Sequence, residues 1–134
     1  MWHYYKPVQL KLKMIIMSTE ISKTRKAVAW ILAGLLTLLF LNSASGKLFF
    51  HPELMQQIHL ENWRVIIAIG EIVSALLFLF PQTNKFGTLL LSSFMGGAII
   101  VHMTGGQSIL FPAVVLVIVW FVYYLRTPDF FKLS

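Results

Sequence analysis

The sequence predicts an all-α protein, a membrane-spanning four-helix bundle with a short amphipathic connector between helices 1 and 2. Of 134 residues, 57% are apolar and only 12% are charged, against about 45–50% and about 25% in soluble domains. The apolar residues gather into four runs of a length suited to a bilayer, for which about 20 residues suffice. The cations collect beside the ends of those runs, mostly on one side of the predicted membrane. Four passes use most of the chain and leave little for a separate soluble catalytic domain.

The net charge of +6 does not indicate nucleic acid, because the basic residues cluster in the first 26 positions and at the helix ends, as in a membrane anchor. Cysteine is absent. Disulfides, thiolate metal sites, iron–sulfur ligation and a cysteine nucleophile are excluded together, and any redox chemistry needs a bound cofactor or a partner chain.

Residues 1–26 read as a basic cytoplasmic leader containing Lys6, Lys11, Lys13, Lys23, Arg25 and Lys26, interrupted by the apolar stretch Met14–Met17. That stretch is too short to span. No small-residue cleavage site follows it, so a signal peptide is not expected. Met17 opens MSTEISKTRK, itself a plausible short leader, so the first residues are either a start-site extension or an interfacial helix. Helix 1 is expected from about Ala27 to Gly46, closed by Lys47. The segment HPELMQQIHLEN, 51–62, is too polar to span; Pro52 at a first helical position and Leu54, Ile58 and Leu60 among polar residues predict a short amphipathic surface helix.

Helix 2 is expected from about Trp63 to Phe80, stopped by Pro81, which cannot continue the hydrogen-bond ladder. The turn PQTNK leads to helix 3, about Phe86 to Met103, where Ser92, Ser93, Gly96, Gly97 and Ala98 repeat small residues at four-residue spacing. Such spacing lets helix backbones approach closely, and it predicts helix 3 as the most intimately packed. After TGGQ, helix 4 is expected from about Ser108 to Leu125, and a short tail, 127–134, follows. The leader, Lys85, Arg126 and Lys132 fall on one side, while Lys47 and Arg64 on the other are offset by Glu53 and Glu61. The positive-inside rule therefore predicts cytoplasmic termini in a bacterial-type inner membrane.

Few polar residues fall inside the spans. Glu71 lies about seven residues into helix 2, roughly 10 Å deep at about 1.5 Å per residue. A comparable acid at a helix centre costs about 2.5–3.5 kcal/mol on insertion scales, so Glu71 must be protonated, paired or wetted. Gly70, Ser74 and Ala75 give it a small-residue face that should point inward. Aligned by depth, Lys47, Glu71, His102 and Asn42 all fall in the outer half of the membrane, which predicts a polar site open to the outer side. The alternative for each is structural: Lys47 snorkelling to headgroups, His102 capping a helix, Glu71 bonded to a neighbour. His51, Met55 and His59 share a predicted helix face, yet three residues in line do not converge on one ion, and no metal site is expected. The pairs Gly96–Gly97 and Gly105–Gly106 match no phosphate loop and read as packing and turn residues.

From about Lys26 to Arg126 the chain resembles the DoxX-like family of small four-helix membrane proteins. The resemblance rests on SGKLF at 45–49, a His-Pro connector ending in NWR, GEIVSALLFLFP at 70–81 and GGAIIVHMTGG at 96–106, in that order. It implies Lys47, Glu71 and His102 as family-typical positions; the leader before Ser18 departs from the pattern. Some members resemble membrane subunits of quinone-reducing sulfur oxidation complexes or partners in thiol and oxidative-stress systems, and distant relatives serve as chaperones or cargo receptors.

Two functions are therefore expected to compete. One is an accessory subunit of a quinone-linked redox system: the polar cluster would hold a quinone headgroup and a partner protein would supply electrons, since no residue here carries them. The other is a non-enzymatic membrane protein, an assembly or chaperone partner or a small-solute carrier, the last requiring an oligomer at this size.

Overall fold

The computed structural model describes residues 2–50 and 53–131, and the side chains of 5–17, 22–50, 53 and 55–130. His51, Pro52, Lys132 and Ser134, and the side chain of Leu54, lie outside them. Among the described residues the chain is all helical: α1 (Trp2–Ser45) ending in a π-helical turn (Gly46–Phe50), α2 (Glu53–Gln57), a 3₁₀ turn (Glu61–Trp63), α3 (Arg64–Leu79), α4 (Asn84–Thr104), α5 (Leu110–Arg126) and a final 3₁₀ turn (Pro128–Phe131). The helix α1 packs on α3 and α5, and α4 packs on the same two, so the four long helices close a ring.

The leader is not separate from helix 1. A single 44-residue helix runs through both, because no glycine or proline falls between Pro7 and Gly34 and the lysine, leucine, isoleucine and methionine residues there are good helix formers. Its first half carries exposed Lys11, Lys13, Ile15 and Met17, and among the described side chains its buried face begins at Ala29. From there Ala29, Ala33, Leu36, Phe40 and Ala44 recur at three- and four-residue spacing and form the stripe that meets α3 and α5.

The connector is less regular than a single amphipathic helix. Helix α2 stops after Gln57 because His59 takes a left-handed backbone, φ 59°. The His59 N–H then donates to the Gln56 carbonyl and the Leu60 N–H to the Met55 carbonyl, at 3.1 and 2.8 Å, which is the Schellman pattern that satisfies terminal carbonyls. The same device ends α4, with Gly106 at φ 69° and the Gln107 N–H donating to the His102 carbonyl at 2.8 Å.

Small residues recur at the helix contacts and many bulky apolar ones face outward. Ala29, Ala33, Ala68, Ser74 and Ala75 lie buried, whereas Leu38, Ile66, Ile100 and Val117 are exposed on the outer faces. So much exposed bulk is an interaction surface rather than a solvated one. Lipid gives apolar side chains no drive inward, and small residues let helices approach. Three described stretches, Tyr5–Phe50, Glu61–Leu79 and Asn84–Thr104, are long and apolar enough to cross a bilayer; α5, at 17 residues, is shorter.

The glycine packed most tightly against a neighbouring helix is not in the Ser/Gly stripe of α4. It is Gly87, one turn from the helix start, where a Cβ would lie 2.2 Å from the Phe78 backbone nitrogen. A Cβ at Gly96 or Gly97 would meet nothing within 4 Å. Ser92 is half-buried and Ser93 exposed, each returning its hydroxyl to its own helix, on the carbonyls of Thr88 and Leu89. Gly70 instead makes room for the Phe94 ring, whose Cζ would stand 3.0 Å from an added Cβ.

Candidate functional site

Glu71 belongs to the inward stripe of α3, with Ala68, Ser74, Ala75 and Phe78 at three-, four- and seven-residue offsets, and that register leaves the residue 3% exposed. It is paired. At the end of α1, Lys47 in the π-helical turn reaches across to donate to Glu71 Oε2 at 2.6 Å and back one turn to Ser43 Oγ at 2.8 Å. Insertions of this turn type recur at functional sites because they redirect one side chain from the helix register. The Lys47 side chain remains 24% exposed against 4% for that of Glu71, so the pair has one dry member and one at the edge of open space.

That space is a cavity of about 510 Å³ bounded by α1, the connector, α3, α4 and the start of α5. Its walls are chiefly apolar, with Met55, Ile67, Phe94 and Phe111 among them, and its polar groups are Ser43, Lys47, Glu71, Ser93 and His102. This combination, mostly apolar with a few convergent polar groups in a volume of about 300–1,000 Å³, is that of a small-molecule site.

His102 arrives from the last turn of α4. Its Nδ1 lies 2.8 Å from the Ser108 carbonyl oxygen. A carbonyl has no proton to give, so Nδ1 is the donor and, in the neutral ring, Nε2 carries a lone pair. No polar side-chain atom that is buried lacks a hydrogen-bond partner among the described residues. Neither Nε2 nor Glu71 Oε1 has such a partner, so neither atom is fully buried, and both residues line the cavity.

The structure thus brings Lys47, Glu71 and His102 around one cavity and leaves Asn42 outside it. Asn42 shares an exposed face with Leu35 and Leu38, while its neighbour Ser43 contributes the hydroxyl. The burial of Ala33, Phe40 and Ala44 fixes that phase, and their alanine spacing was the signal available in the sequence. Gly97 and Ser93 line the cavity rather than a helix contact. Met55 and His59 diverge: Met55 is buried at 2% exposure on the cavity wall, and His59 is exposed in the turn. Among the described residues no three His, Cys, Asp or Glu side chains cluster as metal ligands.

The opposite end of the ring has a polar cluster that sequence reading took for a charged turn and a flanking cation. There the terminal carbonyls of α3 are closed by side chains from three places: Thr83 Oγ1 on Leu77 at 2.7 Å, Asn84 Nδ2 on Phe78 at 2.7 Å, and Arg126 on Phe78 and Leu79 at 2.8 and 2.9 Å. The Arg126 guanidinium also stands 5.2 Å from the centre of the Trp30 ring on α1. All four long helices meet in this knot.

Bulky outer faces, small-residue contacts and an internal ion pair on an apolar cavity define a small helical membrane protein with a site inside its helices. The chain belongs to the DoxX-like family, whose family model matches residues 31–122. That span takes in α1 from Ile31, the connector, α3, α4 and most of α5. Searches of curated proteins and of solved structures each gave no match.

Proposed function

We propose that this DoxX-like protein is a four-pass membrane bundle that binds a quinone headgroup in the Lys47–Glu71–His102 cavity, as the accessory subunit of a membrane redox system. The observation carrying the reading is the cavity itself: an apolar volume of about 510 Å³ with an ion pair and a histidine on its wall. A quinone needs an apolar slot for its ring and hydrogen-bonding groups for its oxygens. Lys47 and Ser43 can donate, and Glu71 and His102 can exchange protons. Electrons come from a partner protein or a bound cofactor, since the chain has no cysteine.

The orientation belongs to the same reading. Arg126, Lys85 and the basic first half of α1 gather toward the Thr83–Arg126 end, which we assign to the cytoplasmic side of a bacterial-type inner membrane; the cavity then opens toward the outer leaflet. Thiol labelling of cysteines introduced at Gln82 and Gln107 in intact cells tests it. Labelling at Gln82 by a membrane-impermeant reagent would reverse the topology.

The binding reading is tested by extracting total quinone, oxidised and reduced, from protein isolated in lipid nanodiscs. Near-equimolar quinone is expected for the native chain. Glu71→Gln keeps side-chain volume and hydrogen bonding while removing the acid, so it should accumulate normally and retain about tenfold less. If Glu71→Gln and His102→Ala both leave the quinone content unchanged, the cluster is packing and capping, and an assembly role replaces the redox one.

A further inference from the structure

We infer that the cavity selects the hydroxyl-bearing, reduced form of its ligand, a hydroquinone over the corresponding quinone, and that His102 is the residue setting this preference. The inference rests on the binding reading above and goes beyond it in specifying which redox form is held.

The argument is a count of protons. Each polar group on the cavity wall can be assigned by what it has already spent. Lys47 gives one N–H to Glu71 Oε2 and one to Ser43 Oγ, which leaves one to donate. Ser43, having accepted that bond, retains its own hydroxyl proton. Ser93 gives its proton to the Leu89 carbonyl. His102 gives its Nδ1 proton to the Ser108 carbonyl, so in the neutral ring Nε2 offers a lone pair. Glu71 accepts from Lys47 at Oε2, and as the other oxygen of that paired carboxylate Oε1 is an acceptor.

Donors and acceptors are therefore separated in space by the chain. The α1 corner, Ser43 and Lys47, can serve any ligand oxygen. The α3 and α4 walls, with Glu71 Oε1 and His102 Nε2, serve only a ligand that brings protons. A quinone carries two carbonyl oxygens and no donor, so an oxygen directed at Nε2 or Oε1 meets a lone pair and loses its hydration without replacement. A hydroquinone carries two O–H groups and can donate to either wall while accepting at the α1 corner. The apolar lining, Phe94 and Phe111 included, treats both rings alike and contributes no discrimination.

The histidine is the separable part of this arrangement. Its Nδ1 bond ties the end of α4 to the loop before α5, and that bond is a structural role. Asparagine at the same position places its amide nitrogen near the site of Nδ1 and has nothing at the site of Nε2. His102→Asn therefore retains the tie to Ser108 and removes the acceptor.

The test uses the full chain in lipid nanodiscs and three short-chain benzoquinone probes: the quinone, its hydroquinone kept reduced under anaerobic conditions, and the hydroquinone dimethyl ether, which has the reduced ring but no O–H. The hydroquinone should bind about tenfold more tightly than the quinone, and the dimethyl ether no better than the quinone. In His102→Asn the preference should shrink to about threefold or less, the loss falling chiefly on the hydroquinone. Equal or tighter binding of the quinone to the native chain overturns the inference and leaves the binding reading standing. Full preference retained in His102→Asn overturns the role of His102. If none of the three probes binds, the quinone reading itself falls, and this inference with it.

Discussion

The two ends of the helical ring solve the same problem in opposite ways. At the Thr83–Arg126 end, the carbonyls left over where α3 stops are each met by a side chain, and Gly87 lets α4 touch the α3 backbone. At the Lys47–His102 end, the helices stand apart around about 510 Å³, small residues face open space, and polar groups are left half satisfied. Closed polar networks specify a structure, whereas partly satisfied ones mark a place kept for something else. The comparison teaches that burial of polar groups alone does not distinguish anchor from site here; unused bonding capacity does.

The largest expected effect comes from breaking the Lys47–Glu71 ion pair at the open end. Lys47→Met leaves Glu71 buried without its cation, a change that costs about 3–5 kcal/mol for fully buried pairs. With Lys47 24% exposed, the loss should fall toward the lower part of that range. The thermal unfolding midpoint in mild detergent measures it. Lys47→Met combined with Glu71→Leu should recover most of the loss, because replacing both members by apolar groups is often neutral. A single Lys47→Met variant as stable as the native chain would mean that the pair does not hold the open end together.

The next effect sharpens the contrast between two sets of glycines. Gly87→Ala puts a methyl 2.2 Å from the Phe78 nitrogen and forces α3 and α4 apart. Overpacking of this kind costs about 1–3 kcal/mol, and it should also disturb the bonds that Thr83 and Asn84 make. Gly97→Ala, into open space, should leave the unfolding midpoint unchanged or slightly raised, since alanine favours a helix over glycine by about 1 kcal/mol. Equal losses at the two positions would show that the cavity closes in the bilayer.

These glycines also mark what the sequence discloses and what it hides. The all-helical class, the approximate ends of the last three long helices and the grouping of Lys47, Glu71 and His102 follow from hydropathy runs and depth, which are local properties of the chain. Small-residue spacing is local too, but which small residue meets a backbone depends on where two helices cross, and Gly87, isolated between Phe86 and Thr88, carries no spacing signal. Asn84 and Arg126 read as solvated turn and flanking charge because their partners are backbone carbonyls 6 and about 48 residues away. The continuity of α1 was obscured for another reason. Lysines in the first 26 positions suggested a leader by polarity, whereas helix formation responds to the absence of breakers.

The smallest effect concerns the lid of the open end, where α2 stops at His59 in a left-handed backbone conformation. For a residue with a Cβ that conformation costs about 1–2 kcal/mol, and glycine adopts it freely. The exposed His59 side chain is not among those that line the cavity, whereas Met55, Ile58 and Leu60 line it from the same segment. His59→Gly should therefore relieve backbone strain in the folded state, offset in part by the greater freedom of glycine in the unfolded chain. The net gain expected is below about 1 kcal/mol, seen as a small rise in the unfolding midpoint, with quinone content unaltered. His59→Ala keeps the Cβ and should show no gain, which separates release of strain from loss of the imidazole. A fall in quinone content with His59→Gly would instead mean that the connector's stiffness helps to hold the cavity open. The open end would then depend on its lid as much as on Lys47 and Glu71.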